Sequence, residues 1–272
     1  LVAHNREDDA RLLEATVAAA RLVVAHAGVG SVVTAARFGK PVVVLLRNGR
    51  ALALSGAVRN APALVVSWFL GEQMGHAVAD VLFGDHGPTG RLPISFPHRS
   101  GQQPYSYDRK TTGRPADPAL ETQEYVSRYR ETPNTALYAF GHGLTYGQVT
   151  YGEVEMAAAE LQWAGQLEVA ITVTNTGARA AEELVQLYIH DRVASLTQPG
   201  RLLKDFKRVA LRPGESKRVA FTLHPSQLGF VGADERYRVE PGLFDVWLAP
   251  HAQGGSTATF RLVGPPSVSD GR

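Results

Sequence analysis

Apolar positions along this chain follow two different periods. Up to about residue 84, helical spacing alternates with short continuous apolar runs. Asp8–Ala20 sets Leu12, Ala15 and Ala19 on one face, which predicts a helix. Leu22–Ala25, Val42–Leu46 and Ala63–Ser67 are aliphatic runs too short for helices and predict buried strands. Between them, Ser31–Phe38 predicts a helix that Gly39, Lys40 and Pro41 bring to an end. Further helices are expected over Ala51–Val58 and Met74–Phe83. Apolar strands separated by helices imply crossover connections and a mainly parallel sheet covered on both faces. Residues 1–97 are therefore expected to form an α/β domain.

From residue 85 the long periods vanish, and Gly, Pro, Tyr, Arg and Thr dominate up to residue 147. Residues 98–147 are expected to be a long irregular connection packed on the α/β domain, because connections of this length are usually functional or wrapped over a neighbour. From residue 148 to 272 the period is two. Leu167, Val169, Ile171 and Val173 share a face, as do Val185, Leu187 and Ile189, then Val219, Phe221 and Leu223, then Phe244, Val246 and Leu248. Turn signals separate the runs at Asn175-Thr176-Gly177, Arg212-Pro213-Gly214-Glu215 and Glu240-Pro241-Gly242. Seven or eight short strands at this spacing predict an antiparallel β-sandwich. The fold class expected is α/β followed by all-β.

Composition narrows the functional classes. Of 272 residues, 44% are hydrophobic and 20% charged, a globular balance. The net charge of only +2 supplies no basic stripe, so no nucleic-acid partner is expected. The longest apolar runs fall far short of a membrane span, and no membrane partner is expected. Cysteine is absent, which removes disulfides, thiolate metal sites and a cysteine nucleophile. The nine histidines show no pair at the four-residue helical spacing of a zinc site, so no metal and no cofactor are expected. The chain begins at Leu1, as expected of a processed product or a piece of a longer protein.

Several stretches, taken in order, resemble the C-terminal portion of the glycoside hydrolase family 3 β-glucosidases. They are Gly39–Arg50 (GKPVVVLLRNGR), Ala79–Asp85 (ADVLFGD), Gly90–Pro97 (GRLPISFP), Thr112–Pro115 (TGRP), Ser127–Tyr129 (SRY) and Tyr138–Tyr146 (YAFGHGLTY). Val173–Gly177 (VTNTG), Val185–Ile189 (VQLYI), Phe206–Val209 (FKRV) and Leu211–Glu215 (LRPGE) extend the resemblance into the second half. It implies an α/β sandwich domain followed by a fibronectin type III-like domain. In that family a (β/α)₈ barrel carries the aspartate nucleophile, and a loop of the α/β domain carries the acid/base glutamate. Here the residues after Leu22–Ala25 are His26–Ser31, and no carboxylate occurs between Glu14 and Glu72. A retaining glycosidase needs two carboxyl groups about 5–5.5 Å apart; by family transfer this chain supplies neither.

Residues 21–48 also resemble the donor loop of nucleotide-sugar glycosyltransferases, through the run His26–Pro41. A glycine-rich turn opening a helix suits an anion, which makes His26, Gly28, Gly30 and Ser31 the candidate anion-binding loop. Glu72 lies just past a strand, where parallel sheets bind ligands, and it is one candidate catalytic carboxylate. Asp85, before Gly87 and Pro88, is the other, although an aspartate there commonly serves a turn. Trp68 and Tyr129 are the candidate sugar-binding residues, with Tyr105, Tyr107 and Tyr125 able to stack or simply to pack. His190 and Asp191 are adjacent in a strand and point to opposite faces, so they form no dyad.

The expected function is that of an accessory module pair of a β-glucosidase-type hydrolase, weak or inactive by itself. Its expected partners are a β-glucoside or other sugar, and a barrel-bearing catalytic chain or a second copy of itself. Two alternatives stand beside it: a small self-sufficient hydrolase with reassigned carboxylates, and a sugar- or nucleotide-sugar-binding module without chemistry. The resemblance favours a periplasmic or secreted location.

Overall fold

The structure is a computed structural model that describes residues 23–26, 29–116 and 124–269. The helix expected over Asp8–Ala20 lies outside those residues. Two compact units emerge: one takes the described residues up to Ala79 together with Pro97–Gln103, the other takes Asp80–Phe96 and everything from Pro104 onward.

In the first unit, β1 (Val23–His26), β2 (Val42–Leu46) and β3 (Ala63–Val66) form a parallel sheet in the order β1-β2-β3. The central strand buries Val42, Val44 and Leu46. Helix α1 (Val29–Arg37) contributes Val32 and Ala35 to the same core. It stops where Gly39 takes φ +60 and Lys40 N–H reaches back to Ala35 O at 3.0 Å. The expected helix over Ala51–Val58 shrinks to α2 (Gly56–Arg59). Gly56 sits at φ +54, a left-handed conformation that a helix running through it forbids. Ala51 and Leu54 are buried as irregular anchors instead, and Gln103 Nε2 donates to Ala51 O at 3.0 Å.

Helix α3 (Met74–Phe83) ends on Gly84 at φ +85, with the Gly84 and His86 amides donating to Asp80 O at 3.0 and 3.1 Å. A glycine in this conformation satisfies the last carbonyls of a helix. Among its described residues, the connection that follows contains the short 3₁₀ turn Ser100–Gln102 and isolated bridges such as Phe96 with Tyr138. The structure divides this connection, with Pro97–Gln103 going to the first unit and the described residues from Pro104 to 147 to the second.

The second unit is a sandwich. One sheet orders β4 (Val149–Met156), β6 (Leu167–Asn175) and β9 (Ser216–Leu223). The other orders β5 (Glu160–Gln162), β13 (Ser256–Val263), β12 (Gly242–Ala249), β7 (Ala181–Asp191) and β8 (Leu202–Leu211). A small third sheet joins β10 (Phe230–Val231), β11 (Tyr237–Val239) and β14 (Ser267–Ser269). All pairs are antiparallel except β5 with β13, which run parallel. The alternating sets named above are its core: Val169, Ile171, Val185, Leu187, Phe244, Val246 and Leu248 are each fully buried. Phe244 and Phe260 stack there with centroids 5.5 Å apart. Burying one such ring is worth about 1.5–3 kcal/mol.

Local chemistry holds the turns. Asn175 is fully buried, and its Nδ2 donates to Arg179 O and Leu211 O while its Oδ1 accepts the Gly177 and Gln148 amides. That is why Asn175-Thr176-Gly177 reads so clearly as a stop. Strands β8 and β9 border the two sheets, and lysines cross between them: Lys207 Nζ donates to Ala220 O at 2.5 Å and Lys217 Nζ to Ala210 O at 2.6 Å. Charged residues spent on edge carbonyls discourage pairing with another strand.

Candidate functional site

A cleft of about 770 Å³ lies within the second unit. Its floor comes from the irregular connection. Tyr105 donates its hydroxyl to Asn134 O at 2.8 Å, and Arg109 Nη2 donates to the same carbonyl at 2.8 Å. The Arg109 guanidinium lies 4.9 Å from the Tyr105 ring centroid, a cation–π contact. Asn134 Nδ2 donates to Ser127 O while its Oδ1 accepts the Tyr129 amide at 3.0 Å, which sets Tyr129 on the rim.

The back wall is aromatic. Tyr107 stacks on Phe140 with centroids 4.1 Å apart and planes 14° from parallel. Its edge meets Tyr188 at 6.2 Å, and its hydroxyl accepts the Leu203 amide. The turn between β12 and β13 closes the far side. Gln253 Nε2 donates to the Tyr105 hydroxyl at 3.0 Å, and Arg201 Nη1 donates to Gly254 O while lying 4.4 Å over Trp247. Burial pushes the Tyr105 and Tyr107 hydroxyls above the ordinary tyrosine value, so both are neutral near pH 7. Burial lowers Arg201 to about 10, still cationic at that pH.

The cleft thus offers flat rings, neutral hydroxyls, amides and guanidinium groups, the ingredients of polyol recognition. Among the described residues its lining contains no aspartate or glutamate.

The sequence candidates disperse. Glu72 is exposed in the turn before α3, and Asp85 is exposed just after it. Trp68 follows β3, half-buried, with φ +51, while Phe69 beside it is 71% exposed. Such a backbone is uncommon for a bulky residue. His26 ends β1, Gly30 and Ser31 lie in the first turn of α1, and Gly28 is outside the described residues. Of the candidate site residues Tyr129 lines the cleft, joined by Tyr105 and Tyr107. Tyr125 is 83% exposed. Sequence reasoning missed Arg109, Asn134, Arg201 and Gln253. Only Tyr105-Ser106-Tyr107 hinted at the place; Gln253 enters from 148 positions away. Among the described residues, no three His, Cys, Asp or Glu side chains gather to hold a metal. No described helix is long and apolar enough to cross a membrane.

His190 and Asp191 diverge as expected. His190 Nδ1 contacts Pro199 O at 2.7 Å, while Asp191 turns inward and accepts the Val193 amide. Burial above all, with Glu240 adding to it, raises Asp191 to about 6. A carboxyl raised in the folded state favours folding when protonated, and that advantage is lost as pH rises from about 4 through 6. Asp191→Asn, which keeps an acceptor for Val193, is expected to raise Tm at pH 7 and to leave it unchanged at pH 3.5. Thermal melts at both values check this.

Comparison with known proteins agrees with the architecture. The glycosyl hydrolase family 3 C-terminal domain matches residues 11–146, and a fibronectin type III-like domain matches residues 183–252. The first match also embraces the residues that resemble a glycosyltransferase loop. A periplasmic beta-glucosidase from Salmonella typhimurium is 40% identical over 225 residues, covering 83% of this chain and 29% of that protein. A beta-xylosidase from Formosa agariphila is 36% identical over 228 residues, covering 82% and 30%. The crystal structure of a beta-glucosidase from Listeria innocua in complex with isofagomine superposes with a TM-score of 0.87 at 30% identity, covering 96% of this chain and 39% of that one. The chain spans under a third of the length of these two curated relatives, and no (β/α)₈ barrel occurs among its described residues. With half of its length matched by the family's C-terminal domain and a sandwich of the expected kind behind it, the chain belongs to glycosyl hydrolase family 3.

Proposed function

We propose that this chain serves as the accessory part of a β-glycoside hydrolase, holding portions of the sugar remote from the bond that breaks. The cleft carries the reading, because it presents Tyr105, Tyr129, Arg109 and Gln253 and, among the described residues, no carboxylate. The nucleophile and acid/base then come from a barrel-bearing polypeptide, with a second copy of the chain as the other partner to consider. β-Glucosides and β-xylosides are the substrate class, following the relatives' names. A periplasmic or secreted location follows from the Salmonella relative and suits a chain without cysteine.

The purified chain is expected to hydrolyse an aryl β-glucoside no faster than a heat-inactivated sample. Glu72→Gln and Asp85→Asn should change nothing. Turnover that drops about 100-fold in either variant, the range expected for losing a general acid, would establish a self-sufficient hydrolase instead. Laminaribiose, followed by NMR line shifts, should bind to the unmodified chain. Tyr129→Ala should weaken that binding about 3–10-fold, the worth of one stacking ring. An unchanged affinity would place the sugar elsewhere.

A further inference from the structure

Behind the cleft, two histidines meet ring to ring. His142 and His251 stand 5.6 Å apart between centroids at 63°, and His142 lies flat against Tyr138 at 5.4 Å. They sit on two loops that bear the cleft wall: Ala139 and Phe140 precede His142, and Ala252 and Gln253 follow His251. The loops are tied together. Ala252 N–H donates to Phe140 O at 2.9 Å. The buried Gln186 amide donates to Gly141 O at 3.2 Å and Pro250 O at 2.6 Å, while its carbonyl accepts the Tyr188 hydroxyl.

The hydrogen bonding fixes one protonation state. Gln253 N–H points at His251 Nδ1 at 3.2 Å, and a backbone N–H can only donate. Nδ1 is therefore bare, and a neutral ring carries its proton on Nε2. A second proton would cancel that bond and confront donor with donor. The charges acting on the pair are also positive: Arg91 acts on His142, and Arg201 and His142 act on His251. The polar neighbours from the other packed elements are Tyr138, whose ring lies flat on His142, Tyr107 and Tyr188, whose hydroxyls burial pushes up, and Glu183, which is engaged by Arg91 at 3.2 Å.

We infer that the His142–His251 contact is an acid-released clamp on the cleft wall, closed while both rings are neutral and opened when both are protonated. Two imidazolium rings between two guanidinium groups repel, and the loops carrying them part. Strands β7 and β12 stay in place, because Leu187, Ile189, Val246 and Leu248 anchor them on the opposite face. Opening carries Gln253 away from the Tyr105 hydroxyl and frees Gly254 O from Arg201, so one side of the cleft is lost.

Burial first, then the neighbouring positive charges, holds both histidines below the ordinary value of 6.5. Histidines depressed in the folded state leave the closed form at full strength above that value. The closed form weakens as pH falls from 6.5 through the lowered folded values. Each proton taken up shifts the closed-to-open ratio by up to about tenfold per pH unit.

The clamp bears on function only through the reading of the cleft as a sugar site, yet its test watches the wall itself. In the full chain, imidazole NMR should show His142 and His251 titrating below the ordinary value of 6.5. Hydrogen exchange at the Ala252 amide, normalised to amides of β6, should speed up about tenfold or more between pH 7 and pH 5. His142→Phe keeps the stack on Tyr138, and His251→Asn keeps an acceptor for Gln253; each should blunt that acceleration. A flat exchange ratio in the unmodified chain overturns the clamp, as does an acceleration undiminished in both variants. Should a variant fail to fold, the unmodified protein still decides, because a pair titrating at or above 6.5 overturns it. Failure of laminaribiose to bind at any pH would count against the proposed function and leave the clamp standing.

Discussion

Replacing Glu183 by alanine is expected to cost about 3–5 kcal/mol of stability, the range for stranding one member of a buried ion pair. Glu183 Oε2 meets Arg91 Nη2 at 3.2 Å, with the two side chains only 7% and 5% exposed. Its other oxygen accepts the Tyr151 hydroxyl at 3.0 Å, while Arg91 Nη1 donates to Gly90 O at 3.1 Å. Burial, together with the facing carboxylate, drives Tyr151 far above the ordinary tyrosine value, which shows how dry the place is. Alanine at 183 leaves a guanidinium there with only carbonyls to face. A domain holds about 5–15 kcal/mol in total, so the urea midpoint should fall steeply. The pair Arg91→Met with Glu183→Leu should recover most of the loss, because no charge then remains buried. A midpoint for Glu183→Ala within error of the unmodified chain would show that water reaches Arg91.

Gly141→Ala is the second severe change. Gly141 adopts φ +80, and a Cβ at this position would fall directly on the Gln186 amide. Gln186 is 2% exposed and holds the loops around Gly141 and Pro250 together. Strain in the left-handed region costs about 1 kcal/mol, and each buried polar group stripped of its partner adds about 1–3 kcal/mol. A total of about 3 kcal/mol or more is expected. Gly214→Ala separates the two causes, since Gly214 has φ +74 but nothing within 4 Å of an added Cβ. It should lose only the strain. Thermal melts resolve the difference, at about 2–4 °C per kcal/mol for a chain of this size. Equal losses in the two variants would mean that Gln186 yields freely.

These two sites mark where the sequence became hard to read. The alternation of Leu167, Val169, Ile171 and Val173 announced its strand because a sandwich buries one face of each strand. Gln186 and Tyr188 occupy the outer face of β7, where the same rule predicts water. They are buried nonetheless, by Phe140, Tyr107 and their neighbours from a connection with no period at all. Ala51–Val58 misled in the opposite sense. Its composition is helical, but a glycine at positive φ and a side-chain bond from Gln103 override it. The family was legible from short ordered motifs such as Gly90–Pro97 and Tyr138–Tyr146. The cleft was not, because Asn134, Arg201 and Gln253 meet only after the chain has folded back on itself. His142 lies between two glycines and carries no local sign of its partner, 109 positions on.

The path of the chain between its two units bears on how such proteins are inherited. Asp80–Phe96 clusters with the sandwich, Pro97–Gln103 with the parallel sheet, and Pro104 onward with the sandwich again. No single breakpoint in the gene separates the two. A crossover near residue 148 would deliver a sandwich without Arg91, leaving Glu183 as a buried orphan, and without Phe140 and His142 over the outer face of β7. The recipient would gain a wounded domain rather than a spare part. A cut that keeps this unit whole has to fall before Asp80, far upstream of its first strand.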